Sequence, residues 1–512
     1  MQLSPALKRG LLYAPLLLLG AQSVWAFLWV TTQRLDYPYE LEWMEGGVLQ
    51  QVLQLLHGKP LYGQPSLVFV SALYMPLYYY VAAGFAKVVG VNFFALRLVS
   101  WLASLLTHGL VFLIVSKQAR STWAGVLGVF FYTYMFQHTA FWFDVARVDC
   151  LWTFFLAFAT YVLLRCRDNP SRSSIFLLAV LSVLAFFTKQ ATLFLLPFVV
   201  VAMVCWCGWR QLMDLLVLCV LLAVPGFVFL HYVVGEDWYF YTMQMAGTHG
   251  VTAFGAKRFF EIVLHAIPAM LCASAIFLVF VQGSSRERCG WFALVAGFVF
   301  VSLLSRAYAG AFFNVLMPLY FCVACVSAIG FSLLVERAVQ VHDKPATYMM
   351  LLAVVLTGLL AADFYRSAYR PERQLPTANG RSNTEWLIAK IAAVQGPVCV
   401  TSHGYLAWLA GKDFCAHNTQ VSDLVTGSSQ ARADILLANA RQKIMSGYYA
   451  AIVLDREKDL LDLGLTLQDI PYRAEPLRYP EGEITFAVNG RSPRIWLQYT
   501  GAISTSAQPV IQ

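Results

Sequence analysis

Long apolar runs recur through the first 363 residues of this 512-residue chain, and they constrain its fold more than any other feature. Each run approaches the ~20 residues that a helix needs to cross a bilayer. In the whole chain 59% of the residues are hydrophobic and only 12% are charged, whereas about 25% are charged in soluble domains. A soluble fold of this composition would expose apolar patches and aggregate. The pattern therefore predicts an all-α polytopic membrane protein.

The apolar runs predict about eleven membrane-spanning helices. Their approximate positions are 11–30, 98–115, 122–140, 150–164, 174–188, 191–208, 212–232, 262–282, 291–305, 315–335 and 346–363. The first run follows Lys8 and Arg9, as the apolar region of a cleaved signal peptide also would. It is longer than the roughly 7–15 residues of such a region, which favours a retained helix.

The segment from Tyr74 to Val89 decides the topology of these helices. If it does not cross the membrane, the Lys and Arg clusters between the runs fall on one side; if it crosses, every cluster after the first changes side. Cytoplasmic loops are enriched in Lys and Arg, so we predict a juxtamembrane or re-entrant segment on the outer face. The N terminus is then cytoplasmic, and the net charge of +8 reflects topology and indicates no nucleic-acid partner.

The composition changes after Asp363, where charged residues and proline and glycine turns become common. Residues 397–401 and 449–454 read as buried strands, and residues 431–445 read as a helix between them. Alternating strands and helices are typical of an α/β domain. We therefore predict a transmembrane catalytic domain at 1–363, with an outer loop at 31–97, and a small extracytoplasmic α/β domain at 364–512. Two cysteines of that domain, Cys399 and Cys415, either form a disulfide or remain free thiols.

The first predicted outer loop carries four acids, Asp36, Glu40, Glu42 and Glu45. Glu45 begins a predicted amphipathic helix that ends near residue 57 and would lie on the outer surface. A carboxylate at a helix N-terminus is favoured by the helix dipole, which is a purely structural explanation. The functional explanation is a general base that takes a proton from an acceptor hydroxyl. Four acids in one short loop favour function, although only one of them need be the base.

Basic residues predicted on the same side could bind an anion. Arg147 and Asp149 form either an interfacial ion pair, or a site where Arg147 meets a phosphate and Asp149 supports a metal, an acceptor or a phosphate-binding cation. Lys189 lies in a short connection and could simply extend towards the interface. Its outer position opposes the positive-inside bias, so it needs a partner, and an anionic phosphate is one candidate. Arg306 is a similar case.

Four motifs occur in a recognisable order. They are the acidic loop leading through a helix to Gly58-Lys-Pro-Leu-Tyr62, the element Tyr74-Met-Pro-Leu-Tyr78 followed by Phe94-Ala-Leu-Arg97, Arg147-Val-Asp149, and Thr188-Lys189-Gln190. In this order and spacing they resemble the GT-C superfamily of polytopic glycosyltransferases. Within it they are most similar to family-39-like enzymes, which include protein O-mannosyltransferases and lipid A aminoarabinose transferases.

The resemblance implies a GT-C-like fold with outer juxtamembrane helices. It also implies inverting transfer of a sugar from a polyprenyl-phosphate donor to an envelope acceptor, a lipid, glycan or protein, at the outer face of a bacterial-type inner membrane. Membrane lipid is an implied partner, and a divalent cation stays open as a cofactor. The implied site comprises Glu45 or Glu42 as base, Asp149 in support, and Lys189, Arg147, Arg306 and Arg97 at the donor phosphate.

Two other functions remain open at this point. A transporter or flippase for lipid-linked sugars would share the apolar runs, but such proteins tend to show internal repeats and interrupted helices, which the sequence does not clearly display. A non-catalytic scaffold that binds lipid-linked sugars for a partner would be expected to lack the acidic loop.

Overall fold

The fold is dominated by a bundle of long helices. A computed structural model describes residues 4–340, 344–427 and 430–501. The bundle and its connecting helices are α1 (Pro5–Leu35), α2 (Glu45–Leu56), α3 (Leu77–Val89), α4 (Phe93–Ala119), α5 (Thr122–His138), α6 (Val148–Asp168), α7 (Arg172–Thr188), α8 (Leu196–Trp206), α9 (Trp209–Phe229), α10 (Ala253–Ala266), α11 (Pro268–Phe280), α12 (Ser285–Ala307), α13 (Met317–Gln340) and α14 (Lys344–Arg366).

Helices lie at all eleven predicted span positions, which confirms the polytopic helical fold. Seven helices are long and apolar enough to cross a membrane singly, and α10 with α11 forms an eighth, bent by 92° where Ile267 and Pro268 interrupt it. At three further predicted positions the helices α5, α7 and α8 are shorter, at 17, 17 and 11 residues, and a 3-10 turn at Gln190–Phe194 lengthens the helical segment before α8. The Tyr74–Val89 segment contains α3, whose 13 residues are too few to cross a bilayer unaided.

Charged contacts divide the bundle into two ends. At one end Arg9 pairs with Glu336, Lys117 with Asp168, and Arg167 with Glu287. These pairs join the start of α1 to the end of α13, and the ends of α4 and α6 to the start of α12. The acids of the first loop lie at the opposite end, which we call the site end. Successive helices run between the two ends, as the predicted alternation of loops requires.

Helix α2 forms where the sequence predicts, but its environment differs from the prediction. We expected a helix on the outer surface, whereas all residues from Glu45 to Leu53 are buried. Two glutamines on it donate to the segment that follows, Gln50 to the Val68 carbonyl and Gln51 to the Val70 carbonyl at 3.1 Å. The C-terminal domain covers the rest, with His417 against Gly47. Polar residues on α2 thus bind other parts of the chain and do not face water.

The chain after α14 folds as a small α/β domain, as predicted. Its elements are α15 (Ala378–Ala392), β1 (Val398–Val400), α16 (Gly404–Leu409), α17 (Asn418–Thr426), α18 (Gln430–Met445), β2 (Ala451–Leu454), α19 (Lys458–Leu461), β3 (Tyr472–Pro476) and β4 (Ile495–Tyr499). The strands are ordered β1-β2-β4-β3, with β1 and β2 parallel and the other two neighbouring pairs antiparallel. Residues 502–512 of the predicted domain lie outside the described residues.

Two features of this domain position the site. Cys399 and Cys415 form a disulfide, which resolves the two alternatives left by the sequence. The carboxyl ends of the parallel strands β1 and β2 lead into His403 and Asp455; His403 contacts Glu40 of the first loop, and Asp455 contacts His403. In open α/β sheets that edge is where ligands usually bind. Here the acidic loop itself occupies it.

Candidate active site

Each buried acid of the first loop has a different cationic or basic partner. Glu40, Glu42 and Glu45 are at most 3% exposed, and they contact His403, Arg147 and Arg97 respectively. The fourth acid of the loop, Asp36, is exposed at the end of α1. A buried carboxylate needs such partners because its desolvation is otherwise too costly.

Glu45 is held by the most complete set of donors. Arg97 donates from Nε to Oε1 at 3.0 Å and from Nη2 to Oε2 at 2.7 Å, and the backbone N–H groups of Ala146 and Leu41 add bonds of 2.8 and 2.7 Å. Burial raises the pKa of Glu45, but Arg97 and the two N–H groups outweigh it and hold that pKa below its ordinary value. Glu45 is therefore a stable carboxylate that ties α2 to α4 and to the loop before α6.

Arg97, predicted at the donor phosphate, has its donors occupied within the chain. Besides Glu45, it donates to the carbonyl oxygens of Arg34 at 3.2 Å, Tyr37 at 2.6 Å and Tyr39 at 2.5 Å. The side chain is also fully buried. In this structure Arg97 positions Glu45 and the first loop and does not reach a surface where a phosphate could bind.

Glu42 accepts fewer hydrogen bonds than Glu45. Its Oε2 lies 3.2 Å from Nη1 of Arg147 and accepts from the Met44 N–H at 3.2 Å. Burial raises the pKa of Glu42 to about 8, because Arg147 only partly offsets the desolvation and the neighbouring carboxylates of Glu45 and Glu40 add to it. A carboxyl group with a pKa in this range can take up and release a proton near neutral pH.

A second cluster lies beside this pair, at the start of α6. Asp149 accepts from Lys189 Nζ at 2.7 Å and from the Asn314 side-chain amide at 2.8 Å. The ring of Tyr74 lies between the two clusters, 5.8 Å from the Arg147 guanidinium and 5.5 Å from Lys189 Nζ. Arg147 and Lys189 make no other side-chain hydrogen bond to any part of the chain that is described, so both keep donors for an anion.

Arg306 lies at the end of α12, and its side chain has no hydrogen bond or ion pair among the described residues. Its Nε is buried without a partner, which is costly unless a ligand or water supplies an acceptor. The residues predicted from the sequence thus divide into three groups. Glu42, Arg147, Asp149 and Lys189 are brought together, Glu45 and Arg97 form a buried structural pair, and Arg306 remains separate with its donors unused.

Two residues that contact the acids of the site, His403 and Asn314, were not predicted as site residues from the sequence. His403 contacts Glu40, 363 positions earlier in the chain, so no local pattern could reveal the pair. The sequence does place His403 directly after a predicted buried strand, where functional side chains often lie. Asn314 precedes an apolar run as one polar residue among aromatic ones, which is a weaker signal.

An apolar cavity opens next to Lys189. It has a volume of about 220 Å³ and lies between α6, α7, α8 and α9, with Leu163, Phe186 and Phe227 in its wall. Thr192 also lines it, three residues after Lys189, and accepts a hydrogen bond from Trp152 Nε1 at 2.8 Å. The Trp152 ring in turn lies 4.8 Å from Lys189 Nζ. The Trp152 side chain thus connects the Lys189 ammonium group to the wall of an apolar space that suits a hydrocarbon chain.

The described residues do not fit a metal ion. No group of three His, Cys, Asp or Glu side chains among them is arranged to hold one. Both oxygens of Asp149, the acid that the sequence linked to a metal, are already bound to Lys189 and Asn314.

The fold and the buried charges define a polytopic membrane protein with a polar site at one end of its helical bundle. Residues 73–234 match the family model described as "Dolichyl-phosphate-mannose-protein mannosyltransferase". This range contains Tyr74, Arg97, Arg147, Asp149 and Lys189. No curated protein matches the chain.

Solved structures of similar architecture cover nearly the whole chain. ArnT from Cupriavidus metallidurans is 12% identical over 94% of this chain and 97% of its own, with a TM-score of 0.56 when bound to undecaprenyl phosphate and 0.58 in the apo state. The archaeal oligosaccharyltransferase AglB from Archaeoglobus fulgidus, in complex with an inhibitory peptide and a dolichol-phosphate, is 11% identical over 93% of this chain and 74% of its own, with a TM-score of 0.52. The chain therefore has the GT-C fold, as its sequence motifs predicted.

Proposed function

We propose that this protein is a glycosyltransferase that moves a sugar from a polyprenyl-phosphate donor to a hydroxyl-bearing acceptor. The observation that carries the proposal is the adjacency of three elements: a carboxyl group with a raised pKa, two cations with unused donors, and an apolar cavity. A lipid-phosphate sugar has a matching layout, with a hydrocarbon chain, an anionic phosphate and a reactive anomeric carbon. The similar ArnT and AglB structures hold polyprenyl and dolichol phosphates, which supports a lipid-phosphate donor.

The proposed reaction is a single displacement that inverts the anomeric carbon. The acceptor hydroxyl oxygen attacks the anomeric carbon and forms the new glycosidic bond. The bond between the anomeric carbon and the phosphate oxygen breaks, and the polyprenyl phosphate leaves with that bonding electron pair. Glu42 takes the hydroxyl proton as general base and later returns it to water. Lys189 and Arg147 stabilise the charge that develops on the phosphate. Arg306 is a third candidate contact for the phosphate or the sugar.

The choice of Glu42 over Glu45 rests on their environments. Glu45, the first choice from the sequence, accepts four hydrogen bonds and has a lowered pKa, so it is a weak base whose loss would disturb the packing. Glu42 has a raised pKa and accepts only two hydrogen bonds, from Arg147 and from the Met44 N–H. Asp149 is assigned to holding Lys189 in place and not to proton transfer.

One feature favours the flippase alternative. The 92° break between α10 and α11 resembles the interrupted helices of transporters. However, no contact among the described residues joins the break to Glu42 or Lys189, and the buried pairs Glu42–Arg147 and Asp149–Lys189 lie together at the site end of the bundle. A transport site would more typically lie near the middle of the membrane.

Donor turnover tests the proposal. The purified protein in nanodiscs is offered a panel of radiolabelled undecaprenyl-phosphate sugars with crude envelope acceptors, and release of free undecaprenyl phosphate is measured. We expect release by the wild type, loss of release in Glu42→Gln with the fold retained, and a raised donor KM in Lys189→Ala. Full release by both Glu42→Gln and Glu45→Gln would refute a first-loop base. Donor binding without any release would refute the transferase, and lipid translocation in vesicles would then be assayed.

A further inference from the structure

The C-terminal domain hydrogen-bonds to the backbone of the two residues that flank Glu42. The Leu41 carbonyl accepts from the Val488 N–H, and the Trp43 N–H donates to the Asn489 carbonyl, each at 3.0 Å. Together these bonds pair residue 42 with residue 489 in a parallel β-bridge. The backbone on either side of Glu42 is therefore fixed by a segment more than 440 positions further along the chain.

The side chains of the same region reinforce this docking. The Trp43 ring lies between the Arg491 guanidinium, at 4.8 Å, and the His417 ring, at 5.3 Å. His417 Nε2 also contacts the Trp43 carbonyl at 3.2 Å. Since His417 is buried and burial lowers its pKa to about 4, it is neutral at physiological pH and can donate from Nε2 to this carbonyl.

His403 anchors the start of the loop through Glu40. Its Nδ1 lies 2.5 Å from Glu40 Oε2, and its Nε2 lies 2.8 Å from the Arg491 carbonyl and 3.4 Å from Asp455 Oδ1. All of these partners are acceptors, so the ring donates from both nitrogens. Burial disfavours the charged ring, but Asp455 and Glu40 outweigh it and hold the pKa of His403 well above its ordinary value.

Glu40 also binds helix α2, and so connects His403 to it. Its second oxygen, Oε1, accepts from the Gly46 N–H at 2.8 Å, in the first turn of α2. Gly46 has no room for a side chain, because a Cβ there would lie 2.4 Å from that oxygen. His403, Glu40 and Gly46 thus connect the edge of the β-sheet to the turn that carries Glu42.

We propose that the C-terminal domain is part of the catalytic apparatus and that His403 is the positioning residue through which it holds the Glu42 loop. This inference rests on the proposed function, because it assigns a purpose to the placement of the base. His403 does not contact the substrate in this role. It acts through Glu40, and its loss should lower kcat while leaving the donor KM nearly unchanged.

The test uses the full chain with five variants, and wild-type release of undecaprenyl phosphate as the reference. In His403→Ala we expect kcat to fall on the order of 10²-fold, as a misplacement of about 1 Å can cause, and amide exchange at residues 41–46 to rise. Glu40→Ala should behave in the same way, and the double variant His403→Ala/Glu40→Ala should be no worse than either single one. Glu40→Gln should retain more activity than Glu40→Ala, because its amide oxygen can still accept from the protonated His403.

Arg432→Ala is the matched control. Arg432 pairs with Asp237 at 2.5 Å and so also joins the C-terminal domain to the rest of the chain, but away from the first loop. We expect its kcat and its loop exchange to match the wild type. An equal loss in Arg432→Ala would overturn the inference, since any loosening of the domain would then suffice.

Two further outcomes would also overturn it. Unchanged kcat and exchange in His403→Ala would show that the contact does not position the loop, and loss of activity in Glu40→Gln equal to that in Glu40→Ala would make Glu40 a reacting group. If His403→Ala does not fold, the comparison of Glu40→Gln with Glu40→Ala decides alone. Absence of release by the wild type refutes the proposed function itself, so the two failures are distinguishable, and the exchange measurement still reports on the loop.

Discussion

The pH dependence of turnover gives the sharpest test of Glu42 as the base. With a pKa of about 8, Glu42 is ionised in about one molecule in ten at pH 7 and about one in a hundred at pH 6. Since only the carboxylate accepts a proton, kcat/KM for the free enzyme should fall about tenfold per pH unit below 8 and level off above it. Glu42→Gln should lose both the activity and this limb of the profile.

Replacing Arg147 should move the acidic limb of the pH profile, the part that falls below pH 8, to higher pH. Arg147 lies 3.2 Å from Glu42 and lowers its pKa, and an opposite charge at this distance typically lowers a carboxyl pKa by about 1–3 units. Arg147→Gln removes that charge, so the limb should move to higher pH by a similar amount. At pH 7 this corresponds to a loss of about 10- to 10³-fold.

A matched loss of positive charge serves as the control. Arg306 makes no contact with Glu42, so Arg306→Gln should change the donor KM and leave the limb near pH 8. Release of undecaprenyl phosphate from a single donor, measured from pH 5.5 to about 10 for all three proteins, provides the profiles. A limb that stays in place in Arg147→Gln would refute Glu42 as the titrating base, whatever the activity of that variant.

Three further predictions concern stability. Removing one partner of the buried Glu45–Arg97 pair, as in Arg97→Met, should lower the free energy of unfolding by about 3–5 kcal/mol, measured in detergent against Arg258→Met, whose pair with Glu261 is exposed. Folding raises the pKa of Glu42 from about 4.3 to about 8, so its stabilising contribution is complete below about pH 4 and is lost as pH rises through 8. The Tm of Glu42→Gln should therefore exceed that of the wild type by an amount that grows between about pH 5 and 9. A Tm difference that stays constant over this range would contradict the raised pKa. Reduction of Cys399–Cys415, which are 16 positions apart, should destabilise the C-terminal domain by about 3 kcal/mol and raise amide exchange around His403 and His417, whereas dithiothreitol should not affect a Cys399→Ala/Cys415→Ala variant.

The helical bundle could be predicted from the sequence because its signal is local. A run of about 20 apolar residues is sufficient to identify a crossing helix, and the bias of Lys and Arg then separates the two ends. The strands at 398–400 and 451–454 were equally visible, since each is a short apolar run between polar turns. The burial of α2 was not predictable, because the residues that cover it come from the C-terminal domain and no periodicity in α2 records them.

The site was predictable in composition but not in pairing. The four motifs supplied Glu42, Arg147, Asp149 and Lys189, and the fold brings all four together. Which acid meets which cation depends on contacts across 105, 52 and 363 positions, for Glu42–Arg147, Glu45–Arg97 and Glu40–His403 respectively. These pairs set the pKa of each carboxyl group, which is lowered at Glu45 and raised to about 8 at Glu42 and to about 7 at Glu40.

The pairing also changes how the acidic loop should be understood. Four acids in one loop suggested several equivalent candidates for the base, yet the three buried ones have different partners and should have different consequences when lost. Glu45 binds Arg97 and holds helices together, Glu40 binds His403 and holds the C-terminal domain, and Glu42 is left with one cation beside it. A loop that must place one reactive carboxylate at the edge of a membrane needs rigid neighbours. We therefore propose that Glu40 and Glu45 fix the two ends of the turn and that Glu42, the acid between them, is the one that reacts.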